Sequence, residues 1–319
     1  MRIMVNALSA RKGGIATYTK NLARSFAERG IDAVFAISNE FQLDEDISVV
    51  KLTANRMAPM KRFLWEQLFW RRLVVKYNPD ILFSSANFGL LLSPVPQILL
   101  VREGGLFDPF YLSNIGPSVS LFKLAQRIAR RRLIIASARA SKVIITPSKT
   151  TKGLLVLADK DLESRTIVNR YGTHTNLFSQ SQKKKKFERH GTCRILYVSV
   201  YYPHKIPGIV SEAIAQLNAK GFKTHLTITM SLDQIKKTHG GEKDFILLKK
   251  GIERNQVTLL GEVPYEKLPL VYSQNDLFVF PSVSETFGHP LVEAMSMGIP
   301  IIASDTPIHR EICMDSAFY

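Results

Sequence analysis

The sequence predicts an α/β protein with parallel β-sheets in two domains. Short apolar runs recur along the chain, and segments with one apolar helical face lie between them. This alternation is typical of parallel sheets covered by helices. A length of 319 residues also favours two domains. A polar, lysine-rich stretch at 181–191 is the predicted linker, between an N-terminal domain at 1–180 and a C-terminal domain at 192–319.

The first domain alternates strands and helices from its start. An apolar run at 3–8 precedes a loop with Gly13 and Gly14, and a helix with an apolar face follows over 15–28. A Gly-Gly turn between a strand and a helix lets the backbone approach a ligand closely, although such turns are common. Further strands are predicted at 33–37, 47–52, 81–84, 97–101, 142–146 and 165–169, and further helices after Pro59, over 118–140 and from Thr150.

The charge balance suggests an anionic partner. The net charge is +16, from 43 Lys and Arg against 27 Asp and Glu. No zinc-finger spacing or aromatic RNA-binding signature is present, so no nucleic-acid partner is expected. Basic residues crowd into 59–76, together with Trp65 and Trp70, and into 118–140. Such helices can dock on an anionic membrane surface, or they can pack their apolar face on the sheet and leave the charges in water.

Composition narrows the cellular setting. Cys193 and Cys313 are the only cysteines, and their spacing fits neither a disulfide framework nor a metal site, which favours a reducing compartment. The N-terminal residues lack the apolar core of a signal peptide, and no apolar run approaches the roughly 18 residues of a spanning helix. We expect a cytoplasmic protein attached peripherally to the inner face of the plasma membrane.

The second domain carries the most informative stretch, 275–305. The first strands predicted in this domain are 194–200, 225–230 and 257–260, with helices at 207–220 and 264–273. The informative stretch then reads as a strand at 277–280, a polar loop at 282–288, a helix at 289–297 and a strand at 299–303. Gly298 and Pro300 end the helix as a C-terminal Gly and a following Pro should. The loop therefore lies at the carboxyl end of a parallel sheet, where ligands bind.

Two carboxylates mark this loop and helix. Glu285 lies in the loop and Glu293 on the helix, with seven residues between them. A helix N-terminus suits a phosphate, and carboxylates accept hydrogen bonds from vicinal sugar hydroxyls. The pair could hold both halves of a nucleotide sugar. Taken alone, two glutamates at this spacing are far more often a solvated loop residue and a charged helix face than a binding site.

The segment 281–305 resembles the donor-site signature of retaining glycosyltransferases of the GT-B fold, family four, also described as glycosyl transferases group 1. The similarity includes the Pro-Ser before the loop, Glu-Thr-Phe-Gly, the second Glu followed by Ala-Met, and Gly-Ile-Pro with its Ala-Ser strand. The resemblance implies two Rossmann-like domains facing a cleft, the first for the acceptor and the second for the donor. Family members normally continue with a helical segment that braces the first domain, so we expect a second domain that is short at its C-terminus.

The resemblance also implies roles for individual residues. Lys205 matches the family's lysine that neutralises the donor pyrophosphate, and the arginine that usually accompanies it is absent. Glu285 and Lys205 are the predicted catalytic residues, with Glu285 on the transferred sugar and Glu293 on the ribose. The predicted donor-binding set also contains Gly13, Gly14, Gly261, Val263, Thr286, Phe287, Gly288, His289 and Pro290.

Two departures from familiar patterns complete the prediction. Family members often carry a His-Asp pair after the strand at 97–101, where this chain has Arg102 and Glu103. The only Asp-x-Asp, at 44–46, lies far along the chain from the donor motif, so we expect neither a metal nor a cofactor.

The predicted reaction is retaining transfer of a hexose from a nucleotide diphosphate sugar to a glycan or lipid-linked acceptor in cell-envelope polysaccharide or lipopolysaccharide biosynthesis. The alternatives are a non-catalytic nucleotide-binding remnant and a GT-B sugar-nucleotide epimerase.

Overall fold

The computed structural model describes residues 1–10, 14–43, 46–53, 57, 59–114, 121–173, 177–178 and 191–319. The chain divides into two compact units. The first unit consists of Met1–Asp108 and Ser118–Tyr171, and the second of Pro109–Pro117 and Gly172–Tyr319. Each unit contains one parallel sheet with helices, so the predicted α/β class is confirmed. Residues 181–190 of the predicted linker lie outside the described residues, and the linker stays a prediction.

The first unit is built on seven strands: β1 Ile3–Asn6, β2 Ala33–Ser38, β3 Ser48–Leu52, β4 Ile81–Ser84, β5 Gln97–Leu100, β6 Val143–Thr146 and β7 Thr166–Val168. They pair in parallel in the order β3-β2-β1-β4-β5-β6-β7. The direction of the strand order reverses between β1 and β4. In sheets of this kind, ligands bind at the carboxyl ends of the strands near that reversal.

Helices cover both faces of this sheet because successive strand residues point to opposite sides. Val5 packs with Phe35 and with Ala23 of the first helix, whereas Met4 packs with Trp70 and Val74. The helices of the first unit are α1 Gly14–Glu28, α2 Pro59–Trp65, α3 Arg71–Tyr77, α5 Leu121–Arg139 and α6 Lys149–Ala158. Helix α4, Pro109–Asn114, lies between α3 and α5 in the chain and belongs to the second unit.

The helix predicted after Pro59 contains a π-helical turn, Glu66–Trp70, between α2 and α3. Glu66 is buried there, and its carboxylate pairs with Arg62 Nε at 3.2 Å. Burial raises the pKa of Glu66 to about 7, although Arg62 opposes the shift. Trp70 is 1 % exposed and packs in the core. Of the two alternatives that the sequence left open for this helix, Trp70 follows the one in which the apolar face packs on the sheet.

The second unit is built on five strands: β8 Cys193–Tyr197, β9 Thr224–Ile228, β10 Val257–Leu259, β11 Leu277–Phe280 and β12 Ile301–Ala303. They pair in parallel in the order β10-β9-β8-β11-β12, so the order reverses between β8 and β11. The accompanying helices are α7 Pro207–Ala219, α8 Leu232–Lys237, α9 Glu242–Glu253, α10 Leu268–Ser273, α11 His289–Ser296 and α12 Pro307–Cys313.

All twelve of these strands coincide with predicted ones, but α4, α8, α9 and α12 were not predicted. Helix α9 contains Gly251, which argues against a helix on propensity alone. The structure supplies the reason for the glycine. A Cβ at position 251 would lie 2.5 Å from Val257 Cγ2 and 2.6 Å from Ser211 Oγ. Gly251 therefore allows α9 to pack closely against α7 and the start of β10.

None of the described helices is both long and apolar enough to cross a membrane.

Candidate active site

Two loops of the second unit meet at the carboxyl ends of β8 and β11, the neighbouring strands at which the strand order reverses. The loop after β8 ends in a 3₁₀ turn, Pro203–Lys205, and the loop after β11 occupies 281–288. The amide of Val283 donates to the carbonyl oxygen of His204 over 3.0 Å. This hydrogen bond joins the two loops, so side chains from both can reach one place.

Lys205 and Glu285 form an ion pair between these loops, with Nζ on Oε1. Their side chains are only 10 % and 12 % exposed, so both charges are largely removed from water. Lys205 Nζ also lies 5.1 Å from the centroid of the Phe280 ring, within cation–π range. The fold thus brings together the two residues that the sequence analysis assigned to catalysis.

The backbone around Lys205 is held from several sides. The hydroxyl of Tyr197 donates to the carbonyl oxygen of Lys205 over 2.7 Å. Ile206 has φ +36°, a strained conformation for a β-branched residue, and it ends the 3₁₀ turn and begins α7. Buried Asp244 accepts from the Gly208 amide at 2.9 Å and from the Tyr201 hydroxyl at 2.8 Å. These contacts fix the loop from which Lys205 projects.

The carboxylate of Glu285 is stabilised in its ionised form. Burial alone would raise the pKa of Glu285, but the charge of Lys205 and the hydrogen bond from its ammonium group hold it below its ordinary value. Further hydrogen bonds hold the loop that carries Glu285, because Ser282 Oγ donates to the carbonyl oxygen of Ser284 over 3.3 Å and Ser304 Oγ donates to the carbonyl oxygen of Ser282. A chain of hydrogen bonds therefore connects this loop to Ser304, the residue that follows β12.

His309 ends this chain, and the sequence analysis missed it. The ring is fully buried, with Nδ1 2.9 Å from the carbonyl oxygen and 3.0 Å from Oγ of Ser304. Because the single hydroxyl proton of Ser304 goes to Ser282, His309 Nδ1 acts as the donor. Burial lowers the pKa of His309, so the imidazole is neutral at pH 7. The sequence offers one signal for the helix that carries His309. Thr306 before Pro307 is the pattern of an N-cap followed by an N1 proline, and it marks the start of α12.

His204 lies beside Lys205 and is also neutral. Burial and the charge of Lys205 lower the pKa of His204 to about 4. Its ring stacks on Tyr202 with centroids 5.6 Å apart and meets the edge of Tyr111 at 5.7 Å. His204 Nδ1 is enclosed and makes no hydrogen bond to a described residue. A second cation beside Lys205 is thereby avoided at neutral pH.

Glu293 lies on α11 in a different environment. It is 4 % exposed, and its Oε2 accepts from the Tyr272 hydroxyl over 2.9 Å. Burial raises the pKa of Glu293 to about 7, although the hydrogen bond from Tyr272 acts in the opposite direction. Within the described part of the chain, Glu293 has no basic partner corresponding to Lys205. The carboxyl group therefore changes its protonation state near neutral pH.

The other predicted donor residues divide into three places. Thr286, Phe287, Gly288, His289 and Pro290 form the end of the loop and the first turn of α11, next to Glu285 in the chain. Gly288 has φ +87°, which favours glycine at the point where the loop enters the helix. Gly261 follows β10 and lies beside an open groove with Ser231 and Leu260. Two strands, β9 and β8, lie between β10 and β11, and Val263 follows Gly261 in the chain. Gly14 begins α1 in the first unit, and Gly13 lies outside the described residues.

No group of three or more His, Cys, Asp or Glu side chains that could hold a metal occurs in the described ranges. Asp44 and Glu45 of the Asp-x-Asp sequence lie outside them. The expectation of a metal-independent reaction therefore stays a prediction.

Comparison with known proteins gives a consistent picture for both units. Residues 178–317 match the family model described as glycosyl transferases group 1, and residues 12–160 match the model described as glycosyltransferase family 4. Together the two matches include nearly all of the residues considered above.

Individual relatives point the same way. The chain is 22 % identical over 271 residues to the O-antigen chain mannosyltransferase RfbU of Salmonella typhimurium, an alignment that covers 83 % of this chain and 67 % of that protein. The chain thus spans about two thirds of this curated relative. Sucrose-phosphate synthase from Thermosynechococcus elongatus is similar in structure, with a TM-score of 0.73, 18 % identity and coverage of 99 % and 85 % of the two chains. HepE of Anabaena, in complex with UDP and glucose, gives a TM-score of 0.68, 17 % identity and coverage of 98 % and 82 %. The two structural similarities show the fold.

Proposed function

The chain belongs to the group 1 glycosyltransferases of the GT-B fold, and from this premise we propose that it transfers a sugar from a nucleotide diphosphate sugar to a glycan or lipid-linked acceptor during cell-envelope polysaccharide assembly. The observation that carries the proposal is the enclosed Lys205–Glu285 pair at the carboxyl ends of β8 and β11. In the proposal, the cation would bind the leaving diphosphate and the carboxylate beside it would bind sugar hydroxyls.

The donor would lie across the two loops. Lys205 and the backbone N–H groups of 287–291, apart from proline at 290, would bind the diphosphate as negative charge grows on it. Interactions that strengthen in the transition state are those that accelerate a reaction. Without a ligand, Lys205 is paired with Glu285. An arriving diphosphate would share the ammonium group and release one carboxylate oxygen for the sugar.

Glu293 would accept hydrogen bonds from the ribose hydroxyls. Its Oε2 is already bonded to Tyr272, and its Oε1 makes no hydrogen bond to a described residue. In the proposed reaction, the bond between the anomeric carbon and the diphosphate breaks, and a leaving phosphate oxygen takes the proton of the acceptor hydroxyl. The acceptor oxygen bonds to the anomeric carbon on the same face of the sugar from which the diphosphate leaves. That geometry gives retention of anomeric configuration. The cation and backbone donors meet the phosphate charge without a metal ion.

Mannose is the first sugar to test, since a curated relative is a mannosyltransferase of the O-antigen chain.

The proposed place of action is the inner face of the plasma membrane. In the first unit, Leu64, Leu68 and Phe69 are exposed along one side of the helix α2–α3, and Arg71 Nε donates to the carbonyl oxygen of Leu92, itself 76 % exposed.

Helix α5 extends this surface. Phe88 joins the two helices, since its ring lies 5.6 Å from that of Phe63 and 6.0 Å from the guanidinium of Arg130. Leu124 and Ile128 are exposed on α5. Exposed apolar side chains among arginines suit an anionic lipid surface. The surface made by Leu64, Leu68, Phe69, Arg71, Arg72, Leu92, Leu124, Ile128 and Arg130 is called the basic apolar face below.

The deciding experiment incubates the full chain with GDP-mannose, UDP-glucose and UDP-galactose, each with a lipid-linked glycan acceptor, and identifies products by mass spectrometry. Transfer of one sugar supports the proposal, and NMR of the new linkage tests retention. Activity in EDTA tests metal independence. Epimerised sugar nucleotide without transfer would identify an epimerase instead. Nucleotide binding with neither product would identify a non-catalytic remnant.

The membrane part has its own test. Flotation with vesicles containing phosphatidylglycerol should carry the protein upward, and flotation with phosphatidylcholine alone should not. Leu68→Ser combined with Phe69→Ser should reduce flotation. Leu157→Ser removes an exposed leucine, 70 % exposed on α6, and serves as the control. Equal flotation of all three proteins would reject the basic apolar face as the contact surface.

A further inference from the structure

In the first unit, Arg102 is a half-buried cation that has no counter-ion among the residues that the structure describes. It follows β5, whose carboxyl end lies beside that of β4. The enclosed Nη1 atom of Arg102 has no hydrogen-bond partner, and its guanidinium makes no ion pair to a described residue. The neighbouring carboxylate does not neutralise it, because Glu103 Oε2 pairs with Arg130 Nη2 at 2.8 Å. A partly desolvated charge without a partner is unfavourable unless a ligand supplies the opposite charge.

The surroundings of Arg102 are well defined. Its amide donates to Asn87 Oδ1 over 2.8 Å, which fixes the backbone where β5 ends. The rings of Tyr18 and Tyr171 lie 5.1 Å apart, and the charge of Arg102 acts on both phenols. Burial and the neighbouring Tyr171 raise the pKa of Tyr18, so its hydroxyl keeps its proton. The cluster therefore combines a guanidinium on a fixed stretch of backbone with phenolic O–H groups, the donors that bind a phosphate oxygen.

We propose that Arg102, Tyr18 and Tyr171 bind a phosphate-type anion carried by the acceptor, at a site separate from the diphosphate site of Lys205. This inference rests on the proposed function, and it assigns the acceptor to the phosphate-linked class. The basic apolar face supports it, because Arg130 of that face contacts both Glu103, next to Arg102 in the chain, and Phe88, which joins the two helices of the face. A lipid phosphate at the membrane surface would thus be close to the cluster.

The test measures anion binding directly in the full chain. Inorganic phosphate and glucose 1-phosphate are titrated by calorimetry with GDP or UDP at saturation, so that the site of Lys205 is occupied. Methyl glucoside is the neutral comparison. Arg102→Gln should weaken binding of both anions by about tenfold to a hundredfold, the usual range for a lost charged hydrogen bond. Arg132→Gln, which removes an exposed arginine of α5, should change it less than twofold.

Three results would overturn the inference. Unchanged phosphate affinity in Arg102→Gln would do so, as would equal binding of methyl glucoside and glucose 1-phosphate by the wild type. Displacement of phosphate by saturating nucleotide would assign the anion to the donor. Arg102→Lys keeps the charge and guards against misfolding, and it should retain most of the binding. Failure of the proposed function can be distinguished from failure of this inference. In that case sugar transfer would be absent, while the difference in phosphate affinity between Arg102→Gln and Arg132→Gln would remain.

Discussion

Glu285 and Glu293 lie on one loop and helix with seven residues between them, and the fold gives them opposite electrostatic surroundings. Both carboxylates are largely buried. Lys205 holds the pKa of Glu285 below its ordinary value, despite the opposing effect of burial. Burial raises the pKa of Glu293 to about 7, since Tyr272 offers a hydrogen bond without a charge. The partner therefore decides the protonation state, and burial alone does not.

This difference suits two kinds of work. A carboxylate that stays ionised beside a cation can keep a transferred sugar oriented while the charge of a leaving diphosphate develops. A carboxyl group with a pKa near neutrality can bind hydroxyls in a pH-dependent manner. Four predictions test this contrast.

The largest effect is expected for Lys205→Gln. It removes the diphosphate cation and leaves the carboxylate of Glu285 without a partner, so turnover should fall on the order of 10³-fold and the free energy of unfolding by about 3 kcal/mol. Steady-state transfer assays and urea denaturation measure both. The double change Lys205→Met and Glu285→Leu should recover most of the stability without recovering turnover. Equal stability losses in single and double variants would contradict a coupled pair.

The second prediction concerns pH and Glu293. The folded-state pKa is raised from 4.5 to about 7, so its stabilising contribution is present below pH 4.5 and is lost as the pH rises to about 7. In Glu293→Gln this loss should be absent. As the pH rises from 5 to 8, the free energy of unfolding of the wild type should therefore fall by roughly 3 kcal/mol relative to that of the variant. Urea denaturation at several pH values measures it. Glu212→Gln, at an exposed position on α7, should follow the wild type.

The third prediction separates binding from turnover. Glu293→Ala should weaken nucleotide affinity about tenfold, the cost of about one charged hydrogen bond. Glu285→Ala should reduce turnover more than nucleotide affinity. Calorimetry with the nucleotide and a transfer assay measure the two quantities in each variant. Wild-type nucleotide affinity in Glu293→Ala would exclude a contact to the ribose.

The smallest effect is expected from Ser304→Ala, which interrupts the hydrogen bonds between His309 and Ser282. Stability should fall by about 1 kcal/mol, and turnover should fall severalfold because the loop that carries Glu285 loses a support. Ser273→Ala is the matched control, since Ser273 Oγ donates to a single backbone carbonyl outside the site. Loss of turnover in both variants to the same extent would remove any special role for Ser304.

The sequence allowed the strands and the loop that carries Glu285 to be predicted for clear reasons. Apolar runs without polar interruption are the pattern of strands buried on both faces, and the segment around β11 predicted a loop at the carboxyl end of the sheet. The pairing of Lys205 with Glu285 needed the three-dimensional structure, because 79 residues of sequence lie between these two residues. Adjacent strands β8 and β11 bring them together.

Other features depend on tertiary packing that no local pattern shows. Gly251 disfavours a helix by propensity, and only the contact with Val257 and Ser211 explains it. His309 has no neighbour in sequence that indicates its part in the network around Glu285. The π-helical turn at Glu66–Trp70 likewise depends on burial of Glu66 and Trp70 against the first sheet.

Helix α4 belongs to the second unit although the chain on both sides of it belongs to the first. Tyr111 of this helix contacts His204, beside Lys205. Exchange of the second unit between relatives by a single crossover at 172 would separate Tyr111 from the residue that it packs against. A chimeric enzyme with a new donor preference would therefore require transplantation of 109–117 together with 172–319. Natural recombination between such genes should likewise exchange these two segments together.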